Sequence, residues 1–269
     1  MHVTNALQNN GTSIHFHGIR QNWTNYNDGV PSVTQCPIAP GDSFTYKWRA
    51  TQYGSSWYHS HFYVQAWDGL FGGILINGPA TANYDVDLGN LLLNDWYHVC
   101  LVVSETSNCG SADEPLLQDT ADNLALQASI SGPPTAANGL INGTNVYNET
   151  GSRFETTFEA GKRYRLRLVN TGADNHMRFM IDNHTLEVIS TDFVPIVPYN
   201  TTNLSIGLGQ RYDVIVQAKD QTSGSFWLRA VPQESCSDND SGRSHPVSGT
   251  GQRIRADFLL LLQPTTSRG

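Results

Sequence analysis

Charge is scarce in this chain. Lys, Arg, Asp and Glu make up 15% of 269 residues, and the balance is −8 at pH 7. A weakly charged, acidic chain does not suit a phosphate-rich partner, so no nucleic acid and no anionic membrane surface is expected. Long apolar runs are also missing; Phe258 to Leu262 falls far short of a membrane span. Met1-His2-Val3-Thr4 has neither a basic start nor an apolar core, so no signal peptide is expected. The four cysteines, Cys36, Cys100, Cys109 and Cys236, form no C-x-x-C, which argues against a zinc ribbon or a thioredoxin-like site. Four cysteines allow three pairings, and spacing leaves the choice open. Helical periodicity is weak everywhere, which argues against a helical fold.

What is present points to strands. Aromatics reach 10%, and 24 glycines and 12 prolines suit many turns between short strands. One pattern recurs. Gly41 precedes Phe44, Tyr46 and Trp48; Gly161 precedes Tyr164, Leu166 and Leu168; Gly209 precedes Tyr212, Val214 and Val216. Each time an aromatic stands three residues after a glycine and starts a period-2 strand. Ser56-Trp57-Tyr58-His59 also lines up with Phe226-Trp227-Leu228-Arg229. This reads as the duplication of one β-domain whose second copy has lost its histidines. The expected division is 1–80 for the first unit, 81–89 for a linker, 90–232 for the second unit and 233–269 for an irregular tail.

Nine histidines occur, and four of them fall in two pairs, His15-Phe16-His17 and His59-Ser60-His61. Residues i and i+2 of a strand share a face, so each pair presents two imidazoles together. Four converging neutral imidazoles make a site for copper, zinc, iron or nickel. Eight N-x-[ST] sequons, at Asn10, Asn22, Asn142, Asn148, Asn183, Asn200, Asn203 and Asn239, lean toward secretion.

Asp28-Gly29, Gln35-Cys36-Pro37-Ile38 and Pro40-Gly41 lie between the two histidine pairs. Gly209-Gln210-Arg211-Tyr212-Asp213 and Asn94-Asp95-Trp96-Tyr97-His98 lie beyond them. In these motifs the chain resembles fungal laccases of the ascomycete type, within the multicopper oxidase family, from Val3 to about His245. The resemblance implies an all-β fold of two cupredoxin-like Greek-key β-sandwich domains, the first incomplete at its N-terminus. It implies copper as cofactor, with His15 at a type 2 site, His17 and His59 on one type 3 copper, and His61 on the other. It implies one-electron oxidation of phenolic small molecules coupled to reduction of dioxygen to water, in a secreted glycoprotein of the kind used in lignin degradation. Asp192, in Ser190-Thr191-Asp192-Phe193, matches the family's acidic substrate contact, with Phe193, Val194 and Pro195 as a pocket wall. Cys36 matches a cysteine that the family bonds to a third domain.

The departures set further expectations. The family's H-x-x-H-x-H and H-C-H-x-x-x-H runs occur nowhere in the 269 residues. A fragment is therefore expected, with half of the trinuclear site, no type 1 site and a missing third cupredoxin domain, inactive by itself. Its first unit is expected to be under-built, leaving Phe44, Tyr46, Trp48 and Trp57 short of cover. Two other readings stand beside this one: a non-catalytic copper-binding or interaction module, and a zinc enzyme with three histidine ligands.

Overall fold

A computed structural model describes residues 1–63, 65–96, 138–147, 150–218, 224–232 and 254–260. The first unit holds β1 (His2–Thr4), β2 (Ile14–Phe16), β3 (Ser43–Thr45), β4 (Gly54–Ser60) and β5 (Phe71–Ile76). The second opens with β6 (Val86–Trp96), β7 (Asn138–Ile141), the short β8 (Val146–Tyr147) and β9 (Thr150–Gly151), and β10 (Arg163–Asn170). It continues through β11 (Met177–Ile181), β12 (Leu186–Thr191), β13 (Val194–Thr201), β14 (Leu204–Ile206), β15 (Arg211–Gln217) and β16 (Gly224–Pro232). β17 (Ile254–Leu260) closes the described chain.

The second unit is a sandwich. One sheet runs β13-β12-β15-β10-β6-β7 and the other β14-β11-β16-β17. Leu166 and Leu168 of β10, Val214 and Val216 of β15, and Phe179 and Leu228 from the facing sheet are all fully buried between them. The alternating residues are equally hidden. Arg165 and Arg167 are 3% exposed and Asp213 is 1% exposed. Period-2 alternation puts them on the other face of the sheet, and that face is covered by the first unit. Ser55 of β4 donates its hydroxyl to Asp213 and accepts from Arg167 Nη1 at 3.0 Å. Arg165 pairs with Asp213, and Arg167 chelates Asp87 of β6 through Nε at 2.9 Å and Nη2 at 2.6 Å. The alternation of β10 thus serves an apolar core on one side and an inter-unit ion network on the other.

The glycine–aromatic repeat has a backbone cause. Gly41, Gly161 and Gly209 stand at φ +81°, +77° and +72°, the left-handed region that side chains disfavour. Each ends a turn, and β3, β10 and β15 begin two residues later.

Three findings differ from the expectations. β6 begins at Val86, within the stretch read as a linker, because Val86 pairs with Tyr164 and Asp87 is held by Arg167. The first unit is small, a three-stranded sheet β2-β4-β5 beside the pair β1-β3, yet Tyr46 is 1% and Trp57 5% exposed. Tyr46 is covered in part from across the unit boundary: Phe193 of the second unit joins Ile14, Phe16, Ile19, Ile38 and Tyr46 in one cluster, with Phe44 and Trp48 packed at its side, while Trp57 lies against His17, His59 and Phe71 of its own unit. In the tail read as irregular, Ile254–Leu260 pairs antiparallel along β16, from Ala230↔Ile254 to Gly224↔Leu260. An unpaired strand edge is a template for any extended segment, alternating or not. The remainder of the tail, the stretch 104–137, and Cys100, Cys109 and Cys236 lie outside the described residues.

Candidate metal centre

β2 and β4 place the histidines. They pair antiparallel with His15 directly opposite His59, so these two imidazoles leave the sheet on the same face. His17 follows β2 and stays in line because its N–H donates to Trp57 O at 3.0 Å. His61 follows β4. The i, i+2 spacing then brings all four rings together. His15 lies 5.8 Å from His17, 5.3 Å from His59 and 5.6 Å from His61 between ring centroids, and His59 lies 6.0 Å from His61.

His15, His17 and His59 each offer a nitrogen, all within 4.8 Å of one another. Nδ1 of His17 and Nε2 of His59 face each other at 3.3 Å. Two ligands each ~2 Å from a common ion leave about that separation. On His15 and His59 the Nδ1 atoms are already engaged. His15 Nδ1 meets Asp28 O at 2.7 Å, with Asp28 Oδ1 at 3.3 Å, and His59 Nδ1 meets Ser60 O at 2.9 Å. A ring that donates Nδ1–H to a carbonyl keeps its Nε2 lone pair for a metal. Burial pushes the His17 pKa down to about 3, aided by the Arg211 guanidinium and the neighbouring histidines. Burial likewise takes His59 down to about 4, against the Ser60 carbonyl, which works the other way. Both rings are therefore neutral at neutral pH, the form that ligates metal. The donor set fits a borderline transition metal such as copper.

Some of the supporting side chains carried no metal signal in the sequence. Asp28 stood among the motifs of the family resemblance with no role of its own, and its backbone carbonyl is the acceptor that orients His15, with its carboxylate at 3.3 Å. Trp57 stacks on His17 at 5.1 Å and on His59 at 4.2 Å. Ser56 donates its hydroxyl to the His17 carbonyl. In the second unit, Trp227 occupies the fourth position of β16 as Trp57 does in β4. Arg229, which stands where His59 would be, forms a double hydrogen bond with Asp182 at 2.8 and 2.7 Å. Of the second unit's histidines, His98 lies outside the described residues, and His184 is buried on Asp182 O at 2.8 Å.

Asp192 stands apart from the imidazoles. With Phe193 it forms the two-residue turn between β12 and β13, at φ +49° and +68°. Its Oδ1 accepts from Arg211 N at 2.9 Å and pairs with Arg211 Nη1 at 2.7 Å, while among the described residues Oδ2 meets the Thr191 hydroxyl, at 3.4 Å. Phe193, expected in a pocket wall, is 7% exposed and sits in the first unit's cluster beneath the Arg211 guanidinium. Val194, at 56% exposure, is open to solvent. Cys36 is an exposed free thiol.

Two β-units, a cluster of imidazoles able to hold a metal on one of them and an ion network joining them define a β-sandwich protein with a candidate metal centre. The chain belongs to the multicopper oxidase family, whose models match residues 1–81 and 87–250. It is 53% identical over 271 residues to Laccase-1 of Botryotinia fuckeliana, covering 99% of this chain and 43% of that protein. The crystal structure of the laccase from Botrytis aclada superposes with a TM-score of 0.81 at 44% identity, over 100% of this chain and 46% of that one. Fet3p, a multicopper oxidase that functions in iron import, superposes at 0.75 with 27% identity, over 100% of this chain and 45% of its own. The chain thus spans less than half the length of these relatives, and its fold is that of their cupredoxin-like domains.

Proposed function

We propose that this chain supplies copper ligands to a laccase-type centre that oxidises phenols one electron at a time and reduces dioxygen to water. His15 belongs to a type 2 site, His17 and His59 share one type 3 copper, and His61 serves the other. The observation that carries the reading is the 3.3 Å approach of His17 Nδ1 to His59 Nε2, with His15 beside them. Copper supplies one-electron exchange and open positions for dioxygen. Three imidazoles would also suit zinc, and membership in the multicopper oxidase family favours copper.

The chain's own residues then have definite tasks. Asp28 and Ser60 carbonyls hold the Nδ1 protons of His15 and His59, so that Nε2 points to the metal. Trp57 covers His17 and His59 on one side and limits water there. Asp192 is the acidic contact for a phenol. Arg211 fixes its Oδ1, and Oδ2 is the oxygen left to accept the phenol's proton as an electron departs. In a centre of this family's kind the remaining imidazoles and the type 1 site come from residues other than these 269, and we take the natural setting to be extracellular.

Copper titration tests the ligand assignment. The chain should take up copper, and His59→Ala should lose at least the share bound between His17 and His59. Undiminished uptake in His59→Ala would refute the assignment. Oxygen uptake with a phenol in excess copper separates an enzyme from a copper-binding module: binding without turnover by these residues alone favours the module.

A further inference from the structure

The turn that opens β15 brings the second unit against a ligand of the first. A methyl group on Gly209 would come within 2.8 Å of His17 Cε1 and 3.0 Å of its Nε2, so the site has room for hydrogen only. The turn is tethered on several sides. Gly209 N–H donates to Asn170 O at 2.9 Å, and its carbonyl accepts from Arg211 Nη1 at 3.1 Å. Gln210 folds back onto Gly207, its N–H donating to Gly207 O at 3.1 Å and its Oε1 accepting from Gly207 N at 2.8 Å. Arg211 is itself pinned by Asp192 at 2.7 Å. A wall held in this way does not recede when a side chain pushes on it.

His17 is left with one resting orientation. Trp57 lies along its face, Gly209 meets its Cε1–Nε2 edge, and Nδ1 is turned toward His59. We propose that Gly209 is a positioning residue for His17: its bare Cα is the wall that aims Nδ1 of the ring at the ion shared with His59. The proposal rests on the copper reading above. It gives the histidine-poor second unit a part in the metal centre, since the aim of a first-unit ligand is set from across the unit boundary. Any side chain at this position rotates the ring, and His17 and His59 cease to face a common ion.

The test compares Gly209→Ala with Gly89→Ala in the full chain. Gly89 stands at φ +74° with nothing within 4 Å, so its substitution reproduces the backbone strain without the contact. The first readout needs no metal: imidazole ¹H–¹⁵N correlation spectra of histidine-labelled protein. His17 ring signals should move in Gly209→Ala and stay in place in Gly89→Ala, with His61 unmoved in both. The second is copper affinity by competition titration, expected to fall 10–100-fold in Gly209→Ala alone. Unmoved His17 signals, or equal losses of affinity in the two variants, would overturn the proposal. A parent chain that binds no copper would sink the copper reading instead, and the metal-free spectra would still decide whether Gly209 sets the ring. Should Gly209→Ala not fold, Arg211→Lys keeps the charge and removes the Nη1 tether; a smaller shift of the same His17 signals is expected, and none would again overturn the proposal.

Discussion

Removing the Asp213 carboxylate should be among the most damaging single changes in this chain. Asp213 is 1% exposed and takes Arg165, Arg167 and the Ser55 hydroxyl. In Asp213→Ala, Arg167 keeps its chelating bonds to Asp87. Among the described residues, Arg165 keeps direct contact with the Tyr84 hydroxyl at 3.4 Å and the Tyr84 ring at 5.3 Å. One buried cation thus loses its direct ion pair and keeps only the more distant field of Asp87, and breaking a buried pair from one side costs about 3–5 kcal/mol. A single domain's whole stability is about 5–15 kcal/mol, so the loss should be plain in urea unfolding followed by tryptophan fluorescence. Asp213→Asn keeps the shape and an acceptor for Ser55, and should fall between the alanine variant and the parent. Ser55→Ala should cost about 1 kcal/mol, the net worth of an ordinary hydrogen bond. The three changes share partners and should not add. An Asp213→Ala variant within about 1 kcal/mol of the parent would show that the two arginines are not buried as described.

The metal-free chain should lose stability in mild acid. His17 and His59 titrate near 6.5 when unfolded, but at about 3 and about 4 when folded, so the unfolded chain takes up protons that the folded chain refuses. Their contribution is complete above pH 6.5 and fades as pH falls to about 4 for His59 and about 3 for His17. It amounts to a few kcal/mol at ~1.4 kcal/mol per pKa unit, reduced by the partial exposure of both rings. Urea midpoints at several pH values should fall more steeply for the parent than for His17→Gln; parallel profiles would refute this. Copper bound by these 269 residues should give no intense blue band, because that colour needs a cysteine thiolate beside two histidines, and no H-C-H run is present. A strong visible band on copper loading would reveal a thiolate ligand. Gly29→Ala should cost more than ~2 kcal/mol or prevent folding, since the residue stands at φ +83° and its methyl would lie 1.8 Å from Ile14 O. A near-normal melting temperature in that variant would contradict the close approach.

Much of the histidine cluster could be read from the chain because its members follow a local rule. His15 and His17, like His59 and His61, are two residues apart, and a strand carries such residues to one face whatever surrounds it. The glycine–aromatic repeat was legible for the same reason, since each glycine stands in a left-handed turn before its strand. The strand in the tail was not: its pairing with β16 depends on a free edge elsewhere in the fold, and its own residues show no clean alternation.

By itself the sequence determined the all-β class, the paired imidazoles and the kind of metal they suit, because strand period and ligand chemistry are properties of neighbouring residues. Tertiary structure alone decided what those imidazoles rest against. Asp28 meets His15 across 13 residues, Gly209 meets His17 across the unit boundary, and Phe193 fills the first unit's core from the second. It also turned Arg165, Arg167 and Asp213 from an apparently polar strand face into a buried network, since only the packing of β4 against β10 and β15 removes that face from water. Contacts between residues distant in the chain carry no periodic signature, so the supports of the site became visible only once the chain was folded.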